Sequence, residues 1–370
     1  MKQEGTVTAL QTGGLTFLFV FSTTLAYLIG PLAKEAGSDG WICIVLGAVA
    51  GTALAIPPLS FALRRPTAYL GSFGERIVGK PVHKCILFLT STFYLHLAAY
   101  ILREFTDFFV PSFLKETPPV AVAILVLTAA AFLAQVGVSG SFRFAQGCFL
   151  VIGLFFLLKP LFFVPYLDTP IWREFARIHD WKTLWKQTYG IIPWYGELTM
   201  LAYIAPLFAS RRKIRAAVWI GSMAGTYILL TEFLLIVLFF GPKLAGALSY
   251  PALDLTGFVH LGDFLRNMNA LIVSIWFMGY FVKLSVVFAV GTLLFSEMLG
   301  VRDPKPLTAP LGALVVCFSL VLARNPVELA GYFDASWATY ALAVEGLAYV
   351  YPLVSWARGR AGRRPASPSA

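Results

Sequence analysis

Charged residues are scarce in this sequence. Lys, Arg, Asp and Glu together make up 13% of its 370 residues, whereas hydrophobic residues make up 58% and the mean hydropathy is +0.75. The interior of a soluble domain of this length cannot hide so much apolar surface. These values exclude a soluble globular protein and indicate a protein that lies in a lipid bilayer.

Catalytic and metal-binding motifs are missing as well. The sequence contains no HExxH, Walker or GxSxG motif, so nothing predicts an enzyme or a cofactor. Its four cysteines, Cys43, Cys85, Cys148 and Cys317, lack CxxC spacing, and we interpret them as packing residues. The net charge of +10 comes from cations in short loops without a basic–aromatic pattern, so no nucleic-acid partner is expected.

Long apolar runs follow one another along the chain. A helix needs about 20 apolar residues to cross the hydrocarbon core of a bilayer. Runs and helix breakers predict an all-α membrane protein with about ten transmembrane helices. The predicted spans are 8–31, 40–62, 83–110, 118–137, 143–166, 184–209, 214–241, 265–298, 307–323 and 334–356.

These spans form a single predicted transmembrane domain over residues 1–357. Its two halves are 8–166 and 184–356, with five spans each. Residues 358–370 are basic and contain proline and serine, which predicts a disordered cytosolic tail.

Two loop segments have amphipathic character. Leu70, Phe73 and Ile77 are at helical spacing between the second and third spans, and residues 171–186 show a similar pattern with Trp185 on the apolar face. Both segments are predicted to lie as short helices on the membrane surface.

Lysine and arginine are concentrated in alternate loops. Basic clusters occur at 64–65, 211–215 and 302–305 and again in the tail. Because cytosolic loops carry the excess of these residues, both termini are predicted to be cytosolic. An even number of spans likewise places both termini on the same side of the membrane.

Two of the spans carry signs of an interrupted helix. The first contains three consecutive hydroxyl residues at 22–24, and the sixth contains Pro193 and Gly196 followed by Glu197. Hydroxyl, proline and glycine residues either compete for or release backbone hydrogen bonds. Since these spans begin the two halves, the pattern predicts a 5+5 inverted repeat with broken helices 1 and 6.

Ionisable residues inside spans are expensive in lipid and therefore informative. Five of them lie well within predicted spans: Lys159, Lys283, Glu197, Glu232 and Glu345. We interpret the two lysines as interior residues that support a helix break or titrate during transport. Glu232 is expected to pair with a polar neighbour, and Glu345 either to pair or to face a cavity. Arg103 and Glu104 are nearer the end of their span and are expected to extend toward the membrane surface.

Short motifs follow in order along nearly the whole chain. They are Gly30-Pro31-Leu32-Ala33, Asp39-Gly40-Trp41, Tyr100-Ile101-Leu102-Arg103-Glu104-Phe105, Leu114-Lys115-Glu116-Thr117-Pro118-Pro119, Gly196-Glu197-Leu198-Thr199-Met200-Leu201, Tyr250-Pro251-Ala252-Leu253, Phe264-Leu265-Arg266, Ile275-Trp276 and Phe281-Val282-Lys283. In this order they resemble the permease-like B subunits of bacterial spore germinant receptors. That family is a branch of the amino acid–polyamine–organocation transporter superfamily.

The resemblance implies a small-molecule pocket between broken helices 1 and 6. Backbone N–H groups at the first break would receive a carboxylate, and carbonyl groups at the second break would receive an ammonium group. The implied substrate-binding residues are Ser22, Thr23, Thr24, Leu25, Tyr94, Trp194, Tyr195, Gly196, Glu197 and Trp276. Lys159 and Lys283 would support coupling or the helix breaks. The first break lacks the usual glycine, which narrows the approach to the backbone, so the ligand is small, differently posed or not an amino acid.

The expected function is that of a nutrient-sensing membrane subunit of a spore germinant receptor. It would bind an amino acid or a similar small nutrient in the spore inner membrane, together with a soluble-domain membrane subunit and a lipoprotein subunit. The alternative is a proton- or sodium-coupled amino acid transporter. A third possibility is a channel or scaffold subunit with a vestigial pocket.

Overall fold

The computed structural model describes residues 6–65, 68–163, 180–257, 268–331 and 335–361. This part of the chain is almost entirely helical. Its α-helices are α1 (Ala9–Tyr27), α2 (Ile29–Ala36), α3 (Gly40–Ala62), α4 (Leu70–Phe73), α5 (Glu75–Val78), α6 (Lys80–Phe113), α7 (Pro119–Val136), α8 (Val138–Phe163), α9 (Trp181–Gly196), α10 (Arg211–Ala245), α11 (Pro251–Gly257), α12 (Met268–Leu299), α13 (Lys305–Val321), α14 (Pro326–Gly331), α15 (Ala335–Gly346) and α16 (Val350–Ala361).

Seven helical segments of the described residues are long and apolar enough to cross a membrane. They are Ala9–Tyr27, Ile29–Ala62, Lys80–Phe113, Pro119–Val136, Val138–Phe163, Arg211–Ala245 and Val273–Leu299. A further apolar helix, α13, is shorter, and the sixth and tenth predicted spans coincide with interrupted helices. The chain is therefore an all-α membrane protein, as predicted, while the count of ten crossings stays a prediction.

The first span is interrupted at Leu28, between α1 and α2. Pro31 explains the position, because it lacks the N–H that would otherwise bond the carbonyl group of Tyr27 four residues earlier. The predicted break at Ser22–Leu25 is misplaced, since those residues lie within α1. Their backbone N–H groups therefore belong to a continuous helix and do not form an open cradle.

The sixth span is interrupted at Glu197, close to the predicted position. There α9 ends at Gly196 and the chain continues as a 3-10 helix, Glu197–Ala202. The N–H of Glu197 is shared between the carbonyl groups of Pro193 and Tyr195, which marks the change in helical pitch.

The two interrupted helices pack in one group with α3 and α10. Glycine residues lie where these helices come close together. A side chain on Gly221 of α10 would overlap the backbone of Gly13 in α1, and a side chain on Gly51 of α3 would overlap the carbonyl group of Ile192 in α9. Small residues allow the helices to pack closely. Close packing stabilises helix association in lipid, where the hydrophobic effect does not drive helices together. A second group comprises α6, α7, α12 and α13, which contact one another.

The segment between the second and third spans differs from the prediction of a single surface helix. It forms two short helices, α4 and α5, and buries Leu70, Phe73 and Ile77 while Glu75 and Arg76 are exposed. Helix α4 contacts α12, and α5 contacts α6 and α16. The apolar face of this segment therefore packs on the protein.

The second predicted surface helix falls mostly outside the described residues, at 171–179. From Asp180 onward the chain belongs to the sixth span instead, because Asp180 caps the N-terminus of α9 and Trp185 is an exposed residue of that helix. The backbone N–H groups of Lys182 and Thr183 and the Thr183 hydroxyl donate hydrogen bonds to the Asp180 carboxylate.

The end of the chain also departs from the prediction. Helix α16 extends to Ala361 and thus includes the start of the predicted tail, 358–370. The remaining tail residues lie outside the described part of the chain.

Candidate functional site

A cavity lies beside the break in the first helix. Its walls come from α1, α6, α8, α11 and α12, so residues far apart in the sequence converge on it. The lining residues are Leu25, Ala26, Phe108, Phe156, Lys159, Tyr250, Ala252, Leu253, Val273 and Trp276. A mostly apolar lining with a few polar groups is typical of small-molecule sites.

Aromatic contacts hold three walls of this cavity in place. The ring of Phe108 packs edge-on against Trp276 and Tyr250, with centroids 4.9 Å away in both cases. The indole Nε1 of Trp276 donates a hydrogen bond of 2.7 Å to the backbone carbonyl of Ser22. The tryptophan therefore fixes α12 to α1 six residues before the break at Leu28.

A buried ion pair stands at the cavity wall. Lys159 Nζ lies 2.6 Å from Glu232 Oε2, and both side chains are 1% exposed. The ammonium group also lies near the rings of Phe156 and Phe163. Glu232 was expected to pair with a polar neighbour, and that neighbour is Lys159. Their ion pair links α8 to α10.

A second buried ion pair connects the two interrupted helices. Lys283 Nζ, on α12, lies 2.8 Å from Glu197 Oε2 and donates a hydrogen bond of 2.9 Å to Thr23 Oγ1. It also lies 4.6 Å from the ring centre of Phe19 and 5.6 Å from that of Trp194. One lysine therefore joins the first helix to the second break by charge, hydrogen bond and cation–π contacts.

Two more carboxylates approach this centre. Glu104 is 1% exposed and accepts a hydrogen bond from the Tyr280 hydroxyl, and Glu345 is 5% exposed. Both interact electrostatically with Lys283. The expectation that Glu104 extends to the membrane surface is wrong. Its neighbour Arg103 is partly exposed and pairs with Asp107 instead.

The substrate-binding residues predicted from the sequence fall into two adjacent places. Leu25, Trp276 and Lys159 line the cavity, while Thr23, Trp194, Glu197 and Lys283 form the buried charge centre. Ser22 connects them through its bond to Trp276.

The other predicted residues have different surroundings. The Tyr195 hydroxyl bonds Thr226, and the Thr24 hydroxyl bonds the carbonyl groups of its own helix. Gly196 lies directly against the carboxylate of Glu345, and Tyr94 lines a smaller cavity with it.

Several cavity residues were missed by reasoning from the sequence. Phe108, Phe156 and Ala26 look like ordinary apolar residues of a span, and no local pattern separates lining from packing. Tyr250 and its neighbours Ala252 and Leu253 did carry a signal, since they belong to the motif that contributed to the family resemblance.

Two interrupted helices joined by a buried charge centre, with a cavity beside the first of them, are features of the inverted-repeat transporter fold. Solved transporter structures have this fold. A substrate-bound outward-open Na⁺-coupled sialic acid symporter aligns with a TM-score of 0.63 and 14% identity, covering 92% of this chain and 78% of the symporter. MhsT in complex with L-phenylalanine aligns with a TM-score of 0.62 and 14% identity, covering 92% of this chain and 86% of MhsT. Mhp1, a nucleobase-cation-symport-1 family transporter in a closed conformation, aligns with a TM-score of 0.67 and 11% identity. The alignment covers 96% of this chain and 80% of Mhp1.

The family profile described as "Spore germination protein" matches residues 6–327, and the chain belongs to that family. Spore germination protein KB of Bacillus subtilis (strain 168) is 21% identical over 83% of both chains. Spore germination protein XB of Bacillus anthracis is 22% identical over 83% of this chain and 84% of its own. Neither relative is named as an enzyme.

Proposed function

We propose that this protein is the nutrient-sensing membrane subunit of a spore germinant receptor. Its ligand is an amino acid or a similar small nutrient, which binds in the cavity beside the first helix break. The single observation that carries the proposal is this aromatic-walled cavity at an interrupted helix, in a chain of the spore germination protein family.

The cavity suits a small molecule with an apolar part and a polar end. Phe108, Phe156 and Trp276 offer rings for the apolar part. Pro31 leaves the carbonyl group of Tyr27 without its helical partner, and Lys159 places an ammonium group at the wall. A carboxylate of the ligand would face Lys159, and the adjoining centre around Thr23 would respond to movement of α1.

Within the receptor, the subunit would act with a soluble-domain membrane subunit and a lipoprotein subunit in the spore inner membrane, with both termini in the cytosol. Ligand binding would shift the population between two arrangements of the helices. The partner subunits would respond to that shift.

Filling the cavity tests the proposal. Ala26→Phe places a ring inside the cavity, whereas Ala121→Phe places the same ring on the exposed face of α7. We expect a screen of amino acids and other small nutrients to yield a compound that raises the melting temperature of the purified protein. Ala26→Phe should weaken its binding at least about tenfold, equivalent to about 1.4 kcal/mol.

The matched Ala121→Phe variant should bind the compound like the wild type, and spores carrying it should keep the same nutrient dose-response. Equal binding by both variants would refute this cavity as the ligand site. Lack of any stabilising compound would favour the scaffold subunit with a vestigial pocket.

A second candidate is a proton- or sodium-coupled amino acid transporter. It is favoured by the shared fold, since the aligned structures are those of transporters. The two functions use the same cavity and differ in whether the ligand crosses the membrane. Uptake by the purified protein in liposomes separates them.

A further inference from the structure

Glu345 is a buried carboxylic acid without a hydrogen-bond partner among the described residues. Its side chain is 5% exposed, and neither oxygen is bonded. It also lies against Gly196, where any side chain would overlap the carboxylate. An ionised carboxylate is strongly unfavourable in such a place, because burial removes its hydration and nothing replaces it.

The charged groups around Glu345 do not compensate a negative charge. Glu197 and Lys283 are its electrostatic neighbours, and Lys283 is already paired with Glu197. Ionisation of Glu345 would therefore place a second carboxylate charge, besides that of Glu197, next to the single ammonium group of Lys283. Glu104 also interacts electrostatically with that ammonium group.

Among the described residues, the helices packed against α15 contribute no further cation to Glu345. From α6 come the phenol of Tyr94 and the imidazole of His96, whose ring lies 6.2 Å from that of Tyr340, more than a turn before Glu345. From the chain after α9 comes the phenol of Tyr203.

Glu345 also lies in a tightly packed space beside Tyr94, Thr199 and Tyr203. Hydroxyl groups surround it: Thr199 lies 3.3 Å from Tyr94, and Thr90 lies 3.5 Å from Tyr203. These hydroxyl groups can donate and accept hydrogen bonds, but none of them bonds Glu345 in this conformation. Tyr203 is also an electrostatic neighbour of Glu297, at the end of α12 predicted to be cytosolic.

We infer that Glu345 is a proton-binding site, which holds its proton in this conformation. The neutral carboxyl packs against Gly196 without adding charge beside Glu197. Loss of the proton would set two carboxylates against each other and favour separation of α15 from the second helix break. Proton binding thereby acts on the second break, whereas the proposed nutrient acts beside the first.

Thermal unfolding of the full-length protein in detergent tests this inference. A group that is neutral when folded and releases its proton on unfolding makes stability fall as pH rises. We expect the wild-type melting temperature to fall by a few degrees from mildly acidic to mildly alkaline pH. Glu345→Gln, neutral and of the same shape, should fold and lose much of this slope, while Glu116→Gln, at an exposed loop residue, should keep it.

The infrared carbonyl stretch of protonated carboxylic acids gives a direct second measurement. At neutral pH the band should lose the intensity of one carboxyl group in Glu345→Gln and none in Glu116→Gln. An unchanged pH slope or an unchanged band in Glu345→Gln would overturn the inference. Failure of Glu345→Gln to fold at any pH would overturn it too, because a neutral amide fits wherever a neutral carboxyl does.

Discussion

Lys283 is the residue on which contact between the two interrupted helices depends. It lies on neither of them, yet its ammonium group meets Thr23 of α1 and Glu197 at the second break. In a buried ion pair, the cost of removing two charges from solvent offsets most of their attraction. The pair therefore adds little net stability, but loss of one partner leaves an uncompensated charge.

Removal of the Lys283 charge should consequently be severe. We expect Lys283→Met to lower the free energy of unfolding by about 3–5 kcal/mol, because Glu197 remains buried without its partner. Lys283→Met combined with Glu197→Gln should recover much of that loss. Thermal unfolding in detergent, arranged as a double-mutant cycle, measures the coupling.

The Arg103–Asp107 pair provides the control. It is a partly exposed pair one helical turn apart, so Arg103→Met should cost only about 0.5 kcal/mol. If Lys283→Met cost no more than Arg103→Met, the buried centre would have no special role in holding the helices together.

The sequence predicted which ionisable residues are interior more successfully than it predicted their partners. Lys159, Lys283 and Glu197 stood out because lipid makes such residues costly. Their partners come from other spans, which no local pattern reveals. Glu104 was misjudged because neighbouring residues on a helix point about 100° apart. Arg103 can face the edge of the bundle while Glu104 faces its centre.

At the scale of elements, the two breaks have different origins. The three hydroxyl residues at 22–24 do not interrupt α1, since Thr24 bonds the carbonyl groups of Val20 and Phe21 within its own helix. Pro31 does, because a missing N–H cannot be supplied by a neighbour. The prediction that helices 1 and 6 are broken is confirmed. The position of the first break was wrong because we inferred it from the hydroxyl residues at 22–24 and not from Pro31.

Restoring the missing donor tests the role of this break. Pro31→Ala provides an N–H that can bond the Tyr27 carbonyl, so the first span should become more continuous and the cavity beside Leu25 and Ala26 should change shape. We expect a raised or unchanged melting temperature together with a nutrient dose-response shifted at least about tenfold, or about 1.4 kcal/mol, toward higher concentration.

Pro310→Ala makes the matched comparison, since Pro310 is an exposed residue inside α13, away from the cavity. It should leave the dose-response unchanged. A normal nutrient response in Pro31→Ala spores would show that signalling does not require the break at Leu28.

At the scale of the whole molecule, buried ion pairs span the boundaries between packed helices. Lys283 links α12, of one helix group, to α1 and the second break in the other. Lys159 links α8 to α10. Rocking of one group against the other would stretch the contacts of Lys283. A ligand can drive such a change only by its difference in affinity for the two arrangements, and reversing a 1:99 population takes about 5.5 kcal/mol.

This arrangement predicts that the protein binds its nutrient without carrying it across the membrane. Full alternation would separate the Lys283 pair, at a cost of about 3–5 kcal/mol when a charge is left alone, which is a large part of the about 4–8 kcal/mol that a ligand of millimolar to micromolar affinity supplies. We therefore expect liposomes with the purified protein to accumulate no more labelled nutrient than protein-free liposomes, even with an imposed proton or sodium gradient, although the nutrient stabilises the same preparation. Lys159→Ala, which removes one pair, should not change that result. Gradient-driven accumulation by the wild type that Lys159→Ala abolishes would instead establish the transporter function, with Lys159 as its coupling residue.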